Sequence, residues 1–77
     1  MTASDVRELE PLDLSIVIPV YNEEENLPLL WPEIDEVLEP TGLRYEVIFV
    51  DDGSRDRSAE IVREFRVRDA RVRLLRL

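Results

Sequence analysis

Apolar residues fall in two kinds of pattern along this chain, continuous runs and stripes spaced three and four apart, and the two kinds alternate. Residues 1–13, MTASDVRELEPLD, show neither; they carry five charges of mixed sign, net −3, and read as an acidic arm, mobile or loosely docked. From Leu14 the run LSIVIPV is a seven-residue β-branched and aliphatic stretch, the pattern of a strand buried on both faces. Pro19 sits near its end, where a missing N–H is tolerated. After the polar turn Tyr21-Asn22-Glu23, the stripe Leu27, Leu30, Trp31, Ile34, Val37 and Leu38 predicts an amphipathic helix with Trp31 in the core. Pro28 suits a first turn, and Pro32 either kinks the helix or marks a later start. The helix should stop before Pro40, with Gly42 in the following loop.

Tyr45 to Val50, YEVIFV, is a second buried strand ending in Asp51-Asp52-Gly53-Ser54. Asp56 is a candidate N-cap for a second helix with the stripe Ser58, Ile61, Val62 and Phe65. Val72 to Leu77, VRLLRL, reads as a third strand. The order β-α-β-α-β requires right-handed crossovers, so the expected fold is α/β and Rossmann-like with a parallel sheet. Ligands of such open sheets bind beyond the carboxyl ends of the strands. Both polar clusters, Tyr21-Asn22-Glu23 and Asp51-Asp52-Gly53-Ser54, are expected there.

Composition narrows the chemistry. The 77 residues fall below the common domain size of roughly 100 to 150. Apolar burial of about 120 kcal/mol is nearly matched by about 115 kcal/mol of ordering entropy. With no Cys and no His, disulfides, thiolate nucleophiles, Cys/His zinc sites and a Ser-His-Asp triad are excluded. Any metal would be a hard cation held by carboxylates. A net charge of −8 argues against a nucleic-acid partner. That charge is uneven: residues 1–39 hold eleven acids and one base, residues 40–77 seven acids and nine arginines. The arginines admit a membrane-surface reading, against which stands a solvated helix face with Glu60–Arg63 and Glu64–Arg68 pairs. No signal-peptide pattern or bilayer-spanning apolar run is present, which sets the expectation of a cytoplasmic protein.

Gly42 and Gly53 are the only glycines, so neither strand is followed by a glycine-rich phosphate loop. The strand ends offer instead an aromatic ring beside a proline, and carboxylates that accept hydrogen bonds. A nucleobase fits that set: its face on Tyr21 or Pro19, and uracil N3–H, or guanine N1–H and amino group, on Asp52. The same acids also fit a plain strand-to-helix turn, with Asp and Ser capping the next helix and Gly53 at positive φ. Glu23-Glu24-Glu25 reads as Glu24 and Glu25 favouring the positive end of the first helix, with Glu23 facing the cleft.

The pattern I-V-I-P-V-Y-N-E-E-E-N-L (Ile16 to Leu27), followed about two dozen residues later by V-D-D-G-S-R-D (Val50 to Asp56), closely resembles the start of family 2 inverting glycosyltransferases of GT-A fold. It is most similar to the dolichyl- and undecaprenyl-phosphate mannosyl- and glucosyltransferases. The resemblance covers Leu14 to Leu77 and implies that residues 14–77 are the N-terminal, nucleotide-sugar-binding portion of such a domain, ending after its third strand. It implies a hexose passed from a UDP- or GDP-linked donor to a polyprenyl phosphate or other acceptor, with inversion, in the cytoplasm or at the cytoplasmic face of a membrane. It implies a nucleotide pocket lined by Pro19, Tyr21, Glu23, Val50 and Asp52, with Asp51 bracing the loop. The family's Mg²⁺ or Mn²⁺ is held by a D-x-D motif, and no D-x-D occurs in this chain; neither a catalytic residue nor a metal ligand is assigned, and these residues alone are expected not to catalyse transfer.

The resemblance also implies a strand order 3-2-1-4, leaving the first strand as an edge open to self-association. A non-catalytic β-α-β-α-β interaction module is the alternative reading. A receiver-like phosphoaspartate domain fits less well, because it places acids after the first strand and its phosphorylated Asp after the third.

Overall fold

The computed structural model describes residues 11–77, and the elements follow in the expected order. They are β1 (Leu14–Val20), α1 (Leu27–Leu38), a 3-10 turn (Glu39–Thr41), β2 (Tyr45–Asp51), α2 (Ser58–Arg68) and β3 (Val72–Arg76). Most of the acidic arm lies outside the described residues. Its last residue, Asp13, is docked on the start of β2: its N–H donates to the Arg44 carbonyl at 2.7 Å, and its Oδ2 accepts the Arg44 N–H at 2.8 Å.

The strands form one parallel sheet in the order β1-β2-β3. Strands laid down in one direction by two right-handed crossovers put both helices on the same face. Trp31 of α1 accordingly stacks on Phe65 of α2, ring centroids 6.2 Å apart, and Phe65 lies the same distance from Phe49 of β2. Val20, Leu27, Tyr45, Val47, Phe49, Val62 and Val72 make the buried centre, with Trp31 and Phe65 half-buried around it.

The opposite face of the sheet is not covered by any described residue, which corrects the expectation of strands buried on both faces. Val17 is 62% exposed and Leu75 52%, while Ile48 and Val50 are half-buried. The apolar runs make both faces apolar, but two helices on one side supply a single covering layer. An apolar groove of about 330 Å³, lined by Ile16, Leu30, Ile34, Val37 and Leu38, opens on the outer flank of α1.

Within β1, the Leu14 N–H donates to Arg44 and the Val20 carbonyl accepts from Asp52. Backbone groups alternate along a strand, so those of Ser15, Val17 and Pro19 point away from β2. Pro19's missing N–H therefore falls on the edge that no described strand pairs with, and the β1–β2 ladder runs unbroken past it.

Helix α1 begins at Leu27 with Pro28 in its first turn and runs through Pro32. The bond that Pro32 forgoes would have ended on the Pro28 carbonyl in that first turn, so a single hydrogen bond is lost. The helix ends at Leu38, and Gly42 takes the left-handed conformation, φ 71°, after the 3-10 turn. On α2, Glu60 and Glu64 both pair with Arg57, at 3.2 and 3.7 Å, instead of with Arg63 and Arg68. Arg57 precedes the first helical residue, and its side chain lies along the exposed first turns.

The amino ends of β2 and β3 are tied by Arg71. Its guanidinium lies 4.5 Å from the Tyr45 ring centroid and pairs with Asp69 (2.6 Å), Glu39 (2.7 Å) and Asp35 (2.9 Å). The Tyr45 hydroxyl donates to Asp35 at 2.8 Å. Burial, and then that bond to Asp35, push the Tyr45 phenol up to about 12.

Candidate functional site

Strand alternation decides which sequence candidates share a surface. Pro19 of β1 and Val50 of β2 are register partners on the uncovered face, one row from the carboxyl edge. Asp52 continues the pairing, its N–H donating to the Val20 carbonyl at 3.1 Å. Tyr21 and Asp52 are the next positions with the alternation of Pro19 and Val50, and both are exposed, Tyr21 at 58%. Pro19 and Val50 are therefore neighbours at one end of one face, and Tyr21 and Asp52 follow directly beyond the two strand ends. The Asp52 carboxylate accepts no hydrogen bond from any described residue.

Asp51 has the opposite alternation and lies on the helix side, fully buried. Its Oδ1 accepts the Ser54 N–H at 3.0 Å and its Oδ2 the Arg76 Nε at 3.2 Å. Burial acts to raise its pKa, but the Ser54 hydrogen bonds and the Arg76 charge outweigh it and hold the carboxyl below its ordinary value. The bracing role that the sequence resemblance assigned to Asp51 has this geometry. Gly53, at φ 78°, then turns the chain, as a glycine is needed to do.

Glu23 stands apart from the other four. It is half-buried between the loops; its Oε2 accepts from the Asn26 side chain at 2.6 Å, and its N–H donates to the Ser58 hydroxyl at 2.8 Å. Glu24 does not serve the positive end of α1, whose first turn holds no acid. It reaches across to accept the Arg57 N–H at 3.3 Å, while its own N–H donates to Asp56 Oδ2 at 3.2 Å. Glu25 is exposed.

Those bonds belong to a cross-loop zipper that the sequence did not announce. The Asn22 N–H donates to Ser54 Oγ at 2.9 Å, and Asn22 Oδ1 accepts the Arg55 N–H at 2.8 Å. Asn22 sits at φ 51°, a conformation that asparagine tolerates better than most residues. Ser58, fully buried, gives its hydroxyl proton to Asp56 Oδ1 at 2.5 Å while accepting from Glu23. Asp56 also accepts the Ser58 N–H at 2.9 Å. The structural N-cap position is Arg57, which makes no side-chain cap bond, so Asp56, the expected capping residue, caps α2 from one residue before that position. The recoverable signal was spacing: Ser54, Asp56 and Ser58 alternate, so their polar groups fall on one side of the second loop.

No three Asp, Glu, His or Cys side chains among the described residues come together as a metal site. The residues present do not fit the family's cation, and no step below runs through one. Among the described residues no helix is long and apolar enough to cross a membrane.

Three parallel strands with helices between them and polar loops at the carboxyl edge define an α/β, Rossmann-like class of fold, whose ligands bind beyond that edge. Within that class, residues 15–77 match the model of glycosyl transferase family 2, and the chain belongs to that family. It is 45% identical over 64 residues to an uncharacterized glycosyltransferase, YkcC, of Bacillus subtilis, covering 83% of this chain and 20% of that protein. It is 50% identical over 60 residues to the undecaprenyl-phosphate 4-deoxy-4-formamido-L-arabinose transferase of Pseudomonas paraeruginosa, covering 77% of this chain and 18% of that protein. The chain thus spans about a fifth of the length of the curated relatives it matches.

Proposed function

We propose that residues 14–77 form the donor-nucleotide pocket of a transferase that moves a sugar from a UDP- or GDP-linked donor to a polyprenyl phosphate. The observation that carries this reading is the pairing of Pro19 with Val50 at the carboxyl end of the uncovered face, with Tyr21 and Asp52 exposed just beyond it and the Asp52 carboxylate without a partner among the described residues. Pro19 and Val50 supply an apolar floor, and the Tyr21 ring a stacking face for the base. Asp52, which only accepts hydrogen bonds when ionised, selects a base edge with N–H donors, as uracil and guanine have. Glu23 stands outside this grouping, held between the loops by Asn26 and Ser58, and belongs to the pocket by the sequence resemblance alone.

The transferred sugar is a hexose by the sequence resemblance, although one relative is named for an arabinose derivative. In the reaction an acceptor phosphate oxygen attacks the anomeric carbon from the face opposite the leaving group, and the bond to the nucleoside diphosphate breaks, inverting that centre. The residues described here bind and orient the donor base. A family cation, Mg²⁺ or Mn²⁺, would need carboxylates other than these. The polyprenyl acceptor places the reaction at the cytoplasmic face of a membrane.

Titration with UDP and with GDP, each with and without Mn²⁺, tests the pocket. Binding by this chain is expected to be weak and independent of the metal. Asp52→Ala is expected to weaken the preferred nucleotide by at least about tenfold, the loss of a hydrogen bond to a charged group. Unchanged affinity for both nucleotides in that variant refutes the assignment.

A further inference from the structure

Asp51 is the only fully buried charged side chain among the described residues, and its partners divide between two elements. Its Oδ1 takes the Ser54 N–H of the following turn, and its Oδ2 takes Nε of Arg76 on β3. Arg76 is the register partner of Asp51 and sits with Val20 and Asp51 in the last row on the helix side of the sheet. The Leu77 N–H, donating to the Asp51 carbonyl at 3.0 Å, fixes the two strand ends together.

We propose that Arg76 is a positioning residue for nucleotide binding: by neutralising Asp51 it locks the 51–54 turn in the conformation that delivers Asp52 to the uncovered face. The proposal rests on the nucleotide reading above. A carboxylate taken out of water without a cation is strongly disfavoured. Deprived of Arg76, the Asp51 carboxylate swings toward solvent to rehydrate its charge, which breaks its hold on the Ser54 N–H. Asp52 and Gly53 lie between those two anchor points, so the base-reading carboxylate moves with them. Arg76 is itself half exposed, with 49% of its side chain in solvent, so its own desolvation takes away little of what it supplies.

The test compares UDP and GDP affinities of the wild type, Arg76→Gln, Arg76→Lys and the double variant Asp51→Asn with Arg76→Gln. Arg76→Gln is expected to weaken binding on the order of tenfold, as small displacements of a binding group do. Arg76→Lys, which keeps the cation, is expected to stay within about threefold of wild type. The double variant is expected to recover to the same range, because a neutral amide at position 51 still accepts the Ser54 N–H and no longer needs a cation. Unchanged affinity in Arg76→Gln, or a double variant as weak as that single one, overturns the proposal. If Arg76→Gln does not fold, the double variant decides: near-wild-type binding supports the proposal and lost binding overturns it. A wild type that binds neither nucleotide refutes the nucleotide reading instead. Hydrogen exchange at the Ser54 amide then reads the Arg76–Asp51–turn link by itself: faster exchange in Arg76→Gln with recovery in the double variant upholds the link, and unchanged exchange refutes it.

Discussion

Ser58 joins the stability of the fold to the geometry of the candidate site, and Ser58→Ala measures that joint. The hydroxyl is fully buried and accepts the Glu23 N–H at 2.8 Å, fastening the Tyr21-Asn22-Glu23 loop to the first turn of α2. Alanine removes both that acceptor and the donor to Asp56, and leaves a part-buried amide unpaired. The two hydrogen bonds contribute about 1 kcal/mol each, and the unsatisfied donor adds about 1 kcal/mol more to the loss. Alanine's better helix propensity returns about 0.5 kcal/mol. The expected destabilisation is therefore about 2.5 kcal/mol, a fall in midpoint of roughly 10 to 20 °C for a domain of this size. Urea and thermal unfolding by circular dichroism supply the global number, and hydrogen exchange at the Glu23 amide supplies the local one. Both should move, and nucleotide affinity should fall with them as the loop carrying Tyr21 loosens. A variant with an unchanged midpoint and a still-protected Glu23 amide refutes the zipper as the element that fixes the site.

Two further outcomes follow from the opposite end and the edge of the sheet. Tyr45 has its phenol raised from 10.0 to about 12, foremost by burial. Its neutral form is thus favoured by folding, the contribution is fully present below pH 10, and it is lost as pH rises through 12, a decline on the order of 2 kcal/mol. Absorbance titration of the phenolates should show Tyr45 ionising only at that upper limit or with unfolding, and later still in Arg71→Gln, because the Arg71 charge acts to lower its pKa. Titration of Tyr45 near 10 in the folded chain contradicts this. The free edge of β1 carries no charged side chain and offers outward N–H groups from Ser15 and Val17, which predicts weak self-association by strand pairing. Sedimentation should depend on concentration and lose that dependence in Val17→Lys; a wild type that stays monomeric, with an unfolding midpoint independent of concentration, sinks the idea.

The pre-formed zipper gives the candidate site a physical character. Asn22, Ser54, Asp56 and Ser58 spend their polar groups on one another and on backbone amides, which leaves Tyr21 and Asp52 exposed on a rigid support. Ordering entropy for those two loops is met by folding and does not fall on nucleotide binding.

The residues of this chain determined by themselves the order and type of every strand and α-helix among the described residues, though not the 3-10 turn at Glu39–Thr41. Continuous runs at Leu14 and Tyr45 and the stripes Leu27–Leu38 and Ser58–Phe65 follow from strand and helix periods, which are local properties of the backbone. The motifs placed Pro19, Tyr21, Val50 and Asp52 at strand ends, and strand alternation alone would have put them on one face. Tertiary structure decided what local pattern has no means to encode. An apolar run is the same whether one face is covered or two, and only the placement of both helices on one side shows that Val17 and Leu75 are left open. The turn of Glu24 toward Arg57, the pairing of Glu60 with Arg57 and the Arg76–Asp51 bond all depend on distances between segments remote in sequence or on side-chain direction around a helix start. Those distances exist only once β2 has paired with β1 and β3, because pairing is what brings two acidic loops and one arginine to the same carboxyl edge.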